Sequence, residues 1–144
     1  MLVRMELSRI LIRELTDMHV IELREVAPPE AAAGGDPRSF PIVIGLSEAL
    51  AIERRLKGVP IKRPQTHDLL AGVIDSLGGR LESITITDLS DHTYFATLDI
   101  RTSGGDLLHV DSRPSDAIAL GVAGAVPIFV DDRVVEAAAD TDEP

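Results

Sequence analysis

The sequence predicts an α+β domain: a mixed, largely antiparallel sheet of about six to eight strands, two main helices packed on it and a short C-terminal helix. Three observations support this prediction. Short stretches in which apolar and polar residues alternate recur along the chain. Stretches with apolar residues at helical spacing lie between them. Gly, Pro and Asp separate most of these stretches, which is typical of short elements joined by turns.

The N-terminal stretch is predicted to form an antiparallel hairpin. Residues 3–7 alternate between apolar and polar, and residues 20–26 do the same. The polar pair at residues 16–17 suits the turn between them. The apolar run over residues 10–12 interrupts the alternation.

Five further strands follow in the prediction. Residues 81–87, 94–101 and 107–111 are strand-like and are joined by short turns, which indicates an antiparallel meander. Residues 40–45 form a compact apolar run suited to the middle of a sheet. Residues 127–130 form the last predicted strand.

Helical spacing predicts the remaining elements. A first helix begins at Ser47, and we expect three of its side chains to face inward: Leu50, Ala51 and Leu56. A second covers residues 66–77, with Thr66 as its N-terminal cap. Its apolar side chains recur at helical spacing: Leu69, Leu70, Val73, Ile74 and Leu77. A third begins at Pro114, and residues 131–139 form a short terminal helix.

The chain of 144 residues is long enough for one domain with a sizeable core. We expect that domain to cover residues 1–139. Residues 28–38 are rich in Ala, Gly and Pro without periodicity, which predicts a mobile loop. Residues 140–144 are expected to form an acidic, disordered tail.

Composition excludes several classes of protein. Without cysteine there are no disulfides and no thiolate metal sites. The chain has no run of about 18 apolar residues, and its charged start does not resemble a signal peptide, so we expect a cytoplasmic protein without a membrane span. The net charge of −10 and the lack of an evident basic patch argue against tight non-specific binding to nucleic acid. An acidic site that holds divalent cations is still compatible with a nuclease.

One stretch concentrates charge where a predicted strand meets a predicted helix: Asp111-Ser112-Arg113-Pro114-Ser115-Asp116. Pro114 suits the first position of a helix. Ser115 and Asp116 can accept hydrogen bonds from N–H groups of the first turn. Arg113 stands between Asp111 and Asp116. The residue types leave two interpretations open, a functional site or a helix cap with an ion-pair network.

Residues 111–120, read as Asp-x-Arg-Pro-Ser-Asp-Ala-Ile-Ala-Leu, resemble the signature of the bifunctional nuclease family of bacteria and plants. Other segments of that family match in order: Pro41-Ile42-Val43-Ile44-Gly45 before Glu48-Ala49, Arg63-Pro64-Gln65-Thr66-His67-Asp68-Leu69-Leu70, Asp88-Leu89 with Thr93-Tyr94-Phe95-Ala96, and Val126-Pro127-Ile128-Phe129-Val130. The resemblance runs from about the first strand to Val135. It implies a bifunctional-nuclease-like fold and metal-assisted hydrolysis of phosphodiester bonds in DNA and RNA.

For that chemistry, carboxylates hold a hard cation such as Mg²⁺ or Mn²⁺. The candidate ligands are Asp111, Asp116 and Glu48. Arg113 would neutralise charge in the transition state, and with Ser115 it would bind substrate. His67, at another predicted helix start, completes the candidate catalytic set as a base or a ligand.

Several of these residues also have a purely structural interpretation. Thr66-His67-Asp68 also suits plain helix capping. We interpret His92 and His109 as ordinary surface or packed histidines, and Tyr94 as sheet packing. Residues 47–52 resemble residues 115–120, a similarity that arises by coincidence or places Glu48 and Asp116 at equivalent helix positions.

Three functional hypotheses follow. The first is the nuclease that the resemblance implies, and a clustered carboxylate pocket would favour it. The second is a non-enzymatic regulatory domain that binds a small anion or a protein, favoured by salt-bridged carboxylates that face a positively lined groove. The third is a structural homodimer, because an aromatic-poor chain (3%) with a long hairpin gains buried apolar surface by pairing, and similar proteins form dimers. It is compatible with either of the others.

Overall fold

The computed structural model describes residues 1–13, 15, 18–26 and 37–141. The predicted loop over residues 28–38 lies outside these residues except at its last two positions. The predicted tail lies outside them from residue 142 onward. No helix of the described chain is long and apolar enough to cross a membrane.

The described chain confirms the α+β class, with seven strands and four helices. In chain order the elements are β1 (Leu2–Leu11), β2 (His19–Glu25), β3 (Ser39–Ile44), α1 (Leu46–Lys57), α2 (Thr66–Ser76), β4 (Arg80–Ser90), β5 (Thr93–Arg101), β6 (Leu107–Ser112), α3 (Pro114–Gly121), a 3₁₀ turn (Val122–Gly124), β7 (Ile128–Asp131) and α4 (Asp132–Thr141). The strands form one sheet in the order β3-β2-β1-β7-β4-β5-β6. Only the β4–β7 pair is parallel among the described strands. The sheet is therefore mixed and mostly antiparallel.

The predicted hairpin and meander are both present. Strands β1 and β2 pair antiparallel, with a change of register between Leu7 and Arg9. This bulge explains the interrupted alternation, because an extra residue moves the following side chains to the other face. Strands β4, β5 and β6 form the expected antiparallel meander.

Strand β3 lies at the edge of the sheet, so its predicted central position is wrong. Pro41 has no backbone N–H and cannot take part in pairing on both sides of a strand. Phe40 on this edge strand stacks on Tyr94 of β5, with ring centroids 5.7 Å apart. The sheet therefore curves until its β3 edge approaches the start of β5.

The inward face of α1 differs from the prediction. Ala49 and Ile52 are buried, whereas Leu50 and Leu56 are about half exposed. Helix α1 packs against α3, which is itself buried along nearly its whole length. The small side chain of Ala49 suits such a close approach between two helices, so packing rather than residue size selects the buried stripe.

Helix α2 is exposed along most of its apolar face. None of its residues is fully buried, and only Ala71 and Ile74 pack partly against the core. The helix lies against α3 and β4 at one narrow stripe, so periodicity overestimates its burial. Its cap is Gln65 and not Thr66, and the Gln65 N–H donates to Asp68 Oδ2 at 3.0 Å.

The terminal helix begins one residue later and ends two residues later than predicted. Its backbone covers residues 132–141 and so includes the first two positions of the predicted tail. Val134, Val135 and Ala138 are buried. The helix is therefore anchored on the core through one face.

One buried carboxylate lies on the sheet face away from the core. Asp99 accepts hydrogen bonds from the hydroxyls of Ser83 (2.7 Å), Thr85 (2.6 Å) and Thr97 (2.9 Å). It also accepts one from Nδ1 of His109 at 2.7 Å. Burial raises the pKa of Asp99, but the hydrogen bonds outweigh that effect and hold the pKa below its ordinary value.

We expect Asp99→Asn to weaken the acid dependence of stability. Because the folded-state pKa is below the unfolded value of about 3.8, ionised Asp99 stabilises the fold at neutral pH, and this contribution disappears as the pH falls below about 4. The variant should lose about 1–2 kcal/mol at pH 7. Its unfolding free energy should then fall less steeply than that of the parent between pH 5 and pH 2.5, as measured by denaturant unfolding.

Asp111→Asn is the matched control, since Asp111 is an exposed aspartate on the neighbouring strand. This variant should follow the parent protein at every pH. Identical pH profiles for Asp99→Asn and the parent would contradict the assignment.

Candidate functional site

Three helix N-termini bring charged side chains together. Glu48 and Asp116 are each the third residue of their helix, α1 and α3, and His67 is the second residue of α2. Arg113 immediately precedes α3. We call these four residues the Arg113 cluster. The equivalent positions of Glu48 and Asp116 agree with the internal sequence similarity.

The guanidinium of Arg113 binds both carboxylates of the cluster. Its Nε donates to Asp116 Oδ2 at 2.9 Å and its Nη2 to Asp116 Oδ1 at 3.2 Å. Both terminal nitrogens are 3.4 Å from Glu48 Oε1. The Arg113 side chain is nevertheless 63% exposed. The cluster therefore presents a positive group to solvent with two carboxylates beside it.

His67 contacts the same aspartate from the other helix. Its Nε2 lies 3.0 Å from Asp116 Oδ1. Burial raises the pKa of Asp116, but hydrogen bonds from Arg113 and His67 outweigh burial and hold the pKa below its ordinary value. An ionised carboxylate only accepts hydrogen bonds. The hydrogen of a neutral His67 therefore lies on Nε2, which leaves Nδ1 as the nitrogen able to accept a proton.

Local sequence explains the position of Arg113. A residue before proline is restricted to extended conformations, and Arg113 has φ −71° and ψ 146°. Pro114 then starts α3 as predicted. The side chain of Arg113, the N-cap residue, makes no capping hydrogen bond. The hydrogen bonds found for Asp116 in the described chain go to side chains and not to the first turn, where the sequence predicts capping by Ser115 and Asp116. The Asp116 carboxylate instead accepts hydrogen bonds from the Arg113 guanidinium and from Nε2 of His67.

A second ion-pair network lies behind the cluster. Asp68, next to His67, pairs with Arg54 at 2.6 Å and with Arg55. Arg55 Nε donates to the carbonyl of Ala119 at 2.6 Å and Nη2 to that of Leu120 at 3.0 Å. Carbonyls in the last turn of a helix lack partners within the helix. One side chain thus ties α1, α2 and α3 together.

This network combines the two interpretations of the stretch around His67. Asp68 caps α2 by accepting a hydrogen bond from the Gln65 N–H, as expected if this stretch serves as a helix cap. His67 joins the cluster instead. Sequence reasoning missed Arg55, although Ala49, Ile52 and Arg55 recur every third residue and share one face of α1.

Beside the cluster, an open groove of about 300 Å³ lies where β3, the β4–β5 turn and α3 meet. Its lining residues are Ile42, Val43, Ile44, Gly45, Glu48, His92, Thr93, Tyr94, Arg113, Pro114 and Ser115. Ser115 is therefore at the groove, as expected of a substrate-binding residue, although it is buried. His67 and Asp116 are not among the lining residues. Asp116 binds Arg113, which does line the groove, and His67 binds Asp116.

Asp111 is the predicted site residue that the structure leaves outside the cluster. It pairs in register with Thr97, whose hydroxyl binds Asp99 on the outer sheet face. Residues directly opposite each other on paired strands share a face, so Asp111 belongs to that outer face. In the described chain no ion pair joins Asp111 to Arg113. The ion-pair network that the sequence left open as an interpretation therefore includes Asp116 but not Asp111.

The predicted metal ligands do not fit a divalent ion as they are arranged. Within residues 1–13, 15, 18–26 and 37–141, no group of three or more His, Asp or Glu side chains could hold a metal. Glu48 and Asp116 both bind Arg113. The guanidinium therefore supplies the positive charge at this position.

Much of this chain is similar in sequence to known proteins. A family model described as a bifunctional nuclease domain matches residues 32–143. An uncharacterized protein of Mycobacterium tuberculosis is 41% identical over 103 residues, covering 72% of this chain and 60% of that protein. Bifunctional nuclease 1 of Oryza sativa is 25% identical over 121 residues, covering 80% and 37%. Bifunctional nuclease 2 of Arabidopsis thaliana is 29% identical over 93 residues, covering 63% and 28%. The chain spans less than two thirds of the length of these relatives.

Proposed function

Because this chain belongs to the bifunctional nuclease domain family, we propose that it hydrolyses phosphodiester bonds of DNA or RNA at the Arg113 cluster. The observation that carries the proposal is the exposed Arg113 guanidinium beside a His67–Asp116 pair. Distant plant relatives are named bifunctional nucleases, which supports the class of reaction.

Arg113 is the group proposed to bind the phosphate. A guanidinium can give two parallel N–H donors to a phosphate. The N-termini of α1 and α3 add partial positive charge at the same place. To reach a phosphate in the groove, Arg113 turns away from Asp116, and this movement opens His67 toward the groove.

His67 is the proposed general base. Its Nδ1 takes a proton from the water that attacks phosphorus, a new P–O bond forms, and the bond to the leaving ester oxygen breaks. The leaving oxygen takes a proton from solvent. Asp116 holds the imidazole in the required tautomer through Nε2, and Arg113 neutralises charge on the non-bridging oxygens.

The test is cleavage of single-stranded DNA and RNA by highly purified parent protein, Arg113→Ala and Asp116→Asn, each checked for folding by circular dichroism. We expect each variant to lose about 100-fold in rate. Arg133→Ala is the matched control, because Arg133 is an exposed arginine that pairs with Asp131 outside the cluster. This control should cleave like the parent protein.

Parallel reactions contain Mg²⁺, Mn²⁺ or a chelator, since the family resemblance implies a divalent ion. The arrangement of the cluster predicts cleavage that survives the chelator. Cleavage that persists unchanged in both Arg113→Ala and Asp116→Asn would contradict the proposal. Cleavage that requires the divalent ion would contradict the metal-free step proposed for His67.

A second candidate is a non-enzymatic domain that binds a small anion. Both cluster carboxylates are salt-bridged beside an exposed arginine, which is the arrangement expected for that function. The net charge of −10 opposes a polyanion more than it opposes a single phosphate. Binding of inorganic phosphate without cleavage of either nucleic acid would favour this candidate.

We also propose that the chain pairs with a second copy of itself, which is compatible with either function. The support is the apolar surface that the described chain leaves exposed on α2, on the residue that follows it and on the edge strand β6. The side chains concerned are Leu69, Leu70, Val73, Leu77, Leu107, Leu108 and Val110.

A further inference from the structure

The turn between β4 and β5 contains two residues in an unfavourable backbone conformation. Asp91 has φ +50° and His92 has φ +62°. Side chains with a Cβ atom rarely adopt this left-handed region, and a two-residue hairpin turn of this kind favours Asn-Gly or Asp-Gly. Asp and His, together with Asn, adopt the conformation more often than other residues with a Cβ atom. The turn therefore requires a positive φ at both positions, but it does not require a histidine at the second.

His92 differs from Asp91 in where it lies. His92 lines the groove that also contains Glu48 and Arg113. Asp91 precedes it in the same turn and is not among the lining residues. Strained backbone positions occur at functional sites, where surrounding structure maintains them. This turn places an imidazole on the groove.

We infer that His92 is a substrate-binding residue that contacts the phosphodiester held by Arg113. The inference rests on the proposed function for the identity of the ligand. An imidazole N–H donates to a phosphate oxygen in either protonation state of the ring. Arg113 and the β4–β5 turn belong to different elements that line one groove, so a phosphate in the groove meets donors from both.

The turn itself provides a matched pair of variants. Glycine accepts a positive φ without a steric penalty, so His92→Gly and Asp91→Gly both relieve strain. We expect each to raise the Tm by about 2–4 °C. Only His92→Gly removes a side chain that lines the groove.

Binding of a thymidine dinucleotide to the parent protein and to both variants is measured by isothermal titration calorimetry. His92→Gly should weaken binding about tenfold, as expected for the loss of one charge-assisted hydrogen bond. Asp91→Gly should bind like the parent protein. If both variants raise the Tm but only His92→Gly weakens binding, the side chain of His92 has a binding role and not only a structural one.

Two results would overturn the inference. One is a dinucleotide affinity in His92→Gly equal to that of the parent. The other is no binding of the dinucleotide by the parent protein. A parent protein that binds the dinucleotide but cleaves no nucleic acid would contradict the proposed hydrolysis and leave the role of His92 in place.

Discussion

Arg55→Gln is expected to lower the free energy of unfolding by about 3 kcal/mol. The Arg55 side chain is only 9% exposed. It binds Asp68 and the carbonyls of Ala119 and Leu120. Gln cannot reach all three acceptors, so a mostly buried carboxylate and two carbonyls lose donors, and such unpaired groups are costly.

This change should also alter the site. Asp68 is adjacent to His67 and fixes the start of α2 against α1 through Arg54 and Arg55. With one of these pairs lost, His67 is held less firmly against Asp116. The NMR signal of the His67 Nε2 proton should broaden or shift in Arg55→Gln.

The measurement is the urea midpoint of unfolding of Arg55→Gln, compared with that of the surface variant Arg80→Gln. Arg80 is 76% exposed and pairs with Glu82 at the surface, where ion pairs contribute little to stability. Its replacement should leave the urea midpoint nearly unchanged. Equal midpoints for the two variants would show that the Arg55 network is not a stabilising centre of the fold.

The second large effect is expected for Ile52→Ala, at about 3 kcal/mol of destabilisation. Ile52 is fully buried on the face of α1 that contacts the core. Removing three carbon atoms there leaves a cavity, because α3 and the sheet can relax only partly. Since α1 also carries Glu48, the loss should reach the Arg113 cluster.

Leu50→Ala on the same helix is the matched control. Leu50 is 50% exposed, so its truncation should change the unfolding free energy by about 0.5 kcal/mol. Thermal and urea unfolding of both variants gives the comparison. If Leu50→Ala were as damaging as Ile52→Ala, the inward face predicted from the sequence would be correct and the buried stripe found here would be wrong.

Much of the site could be predicted from the sequence because its signals are local. Pro114 marks the start of a helix and restricts Arg113 to an extended backbone. Charges near that junction are visible in the printed sequence. Arg113 and Asp116 meet for this reason. The matching segments also point to Glu48 and His67, which helix packing brings to the same place, so four of the five candidate catalytic residues meet in the structure.

The residues that the sequence placed wrongly or did not single out depend on contacts between distant parts of the chain. Asp111 lies two residues from Arg113, but strand register turns it to the outer face with Thr97. Arg55 is ordinary in sequence and matters only because α2 and the end of α3 approach it. His92 becomes notable only when the sheet curves and brings its turn beside the groove.

From the sequence alone follow the order of strands and helices, the α+β class and the motif that carries Arg113 and Asp116. These depend on the spacing of apolar residues and on proline, which act within a few residues of the chain. Only the tertiary structure decided which carboxylates Arg113 binds and which face of α1 is buried. Those outcomes depend on sheet register and helix packing between residues about 65 apart, such as Glu48 and Arg113.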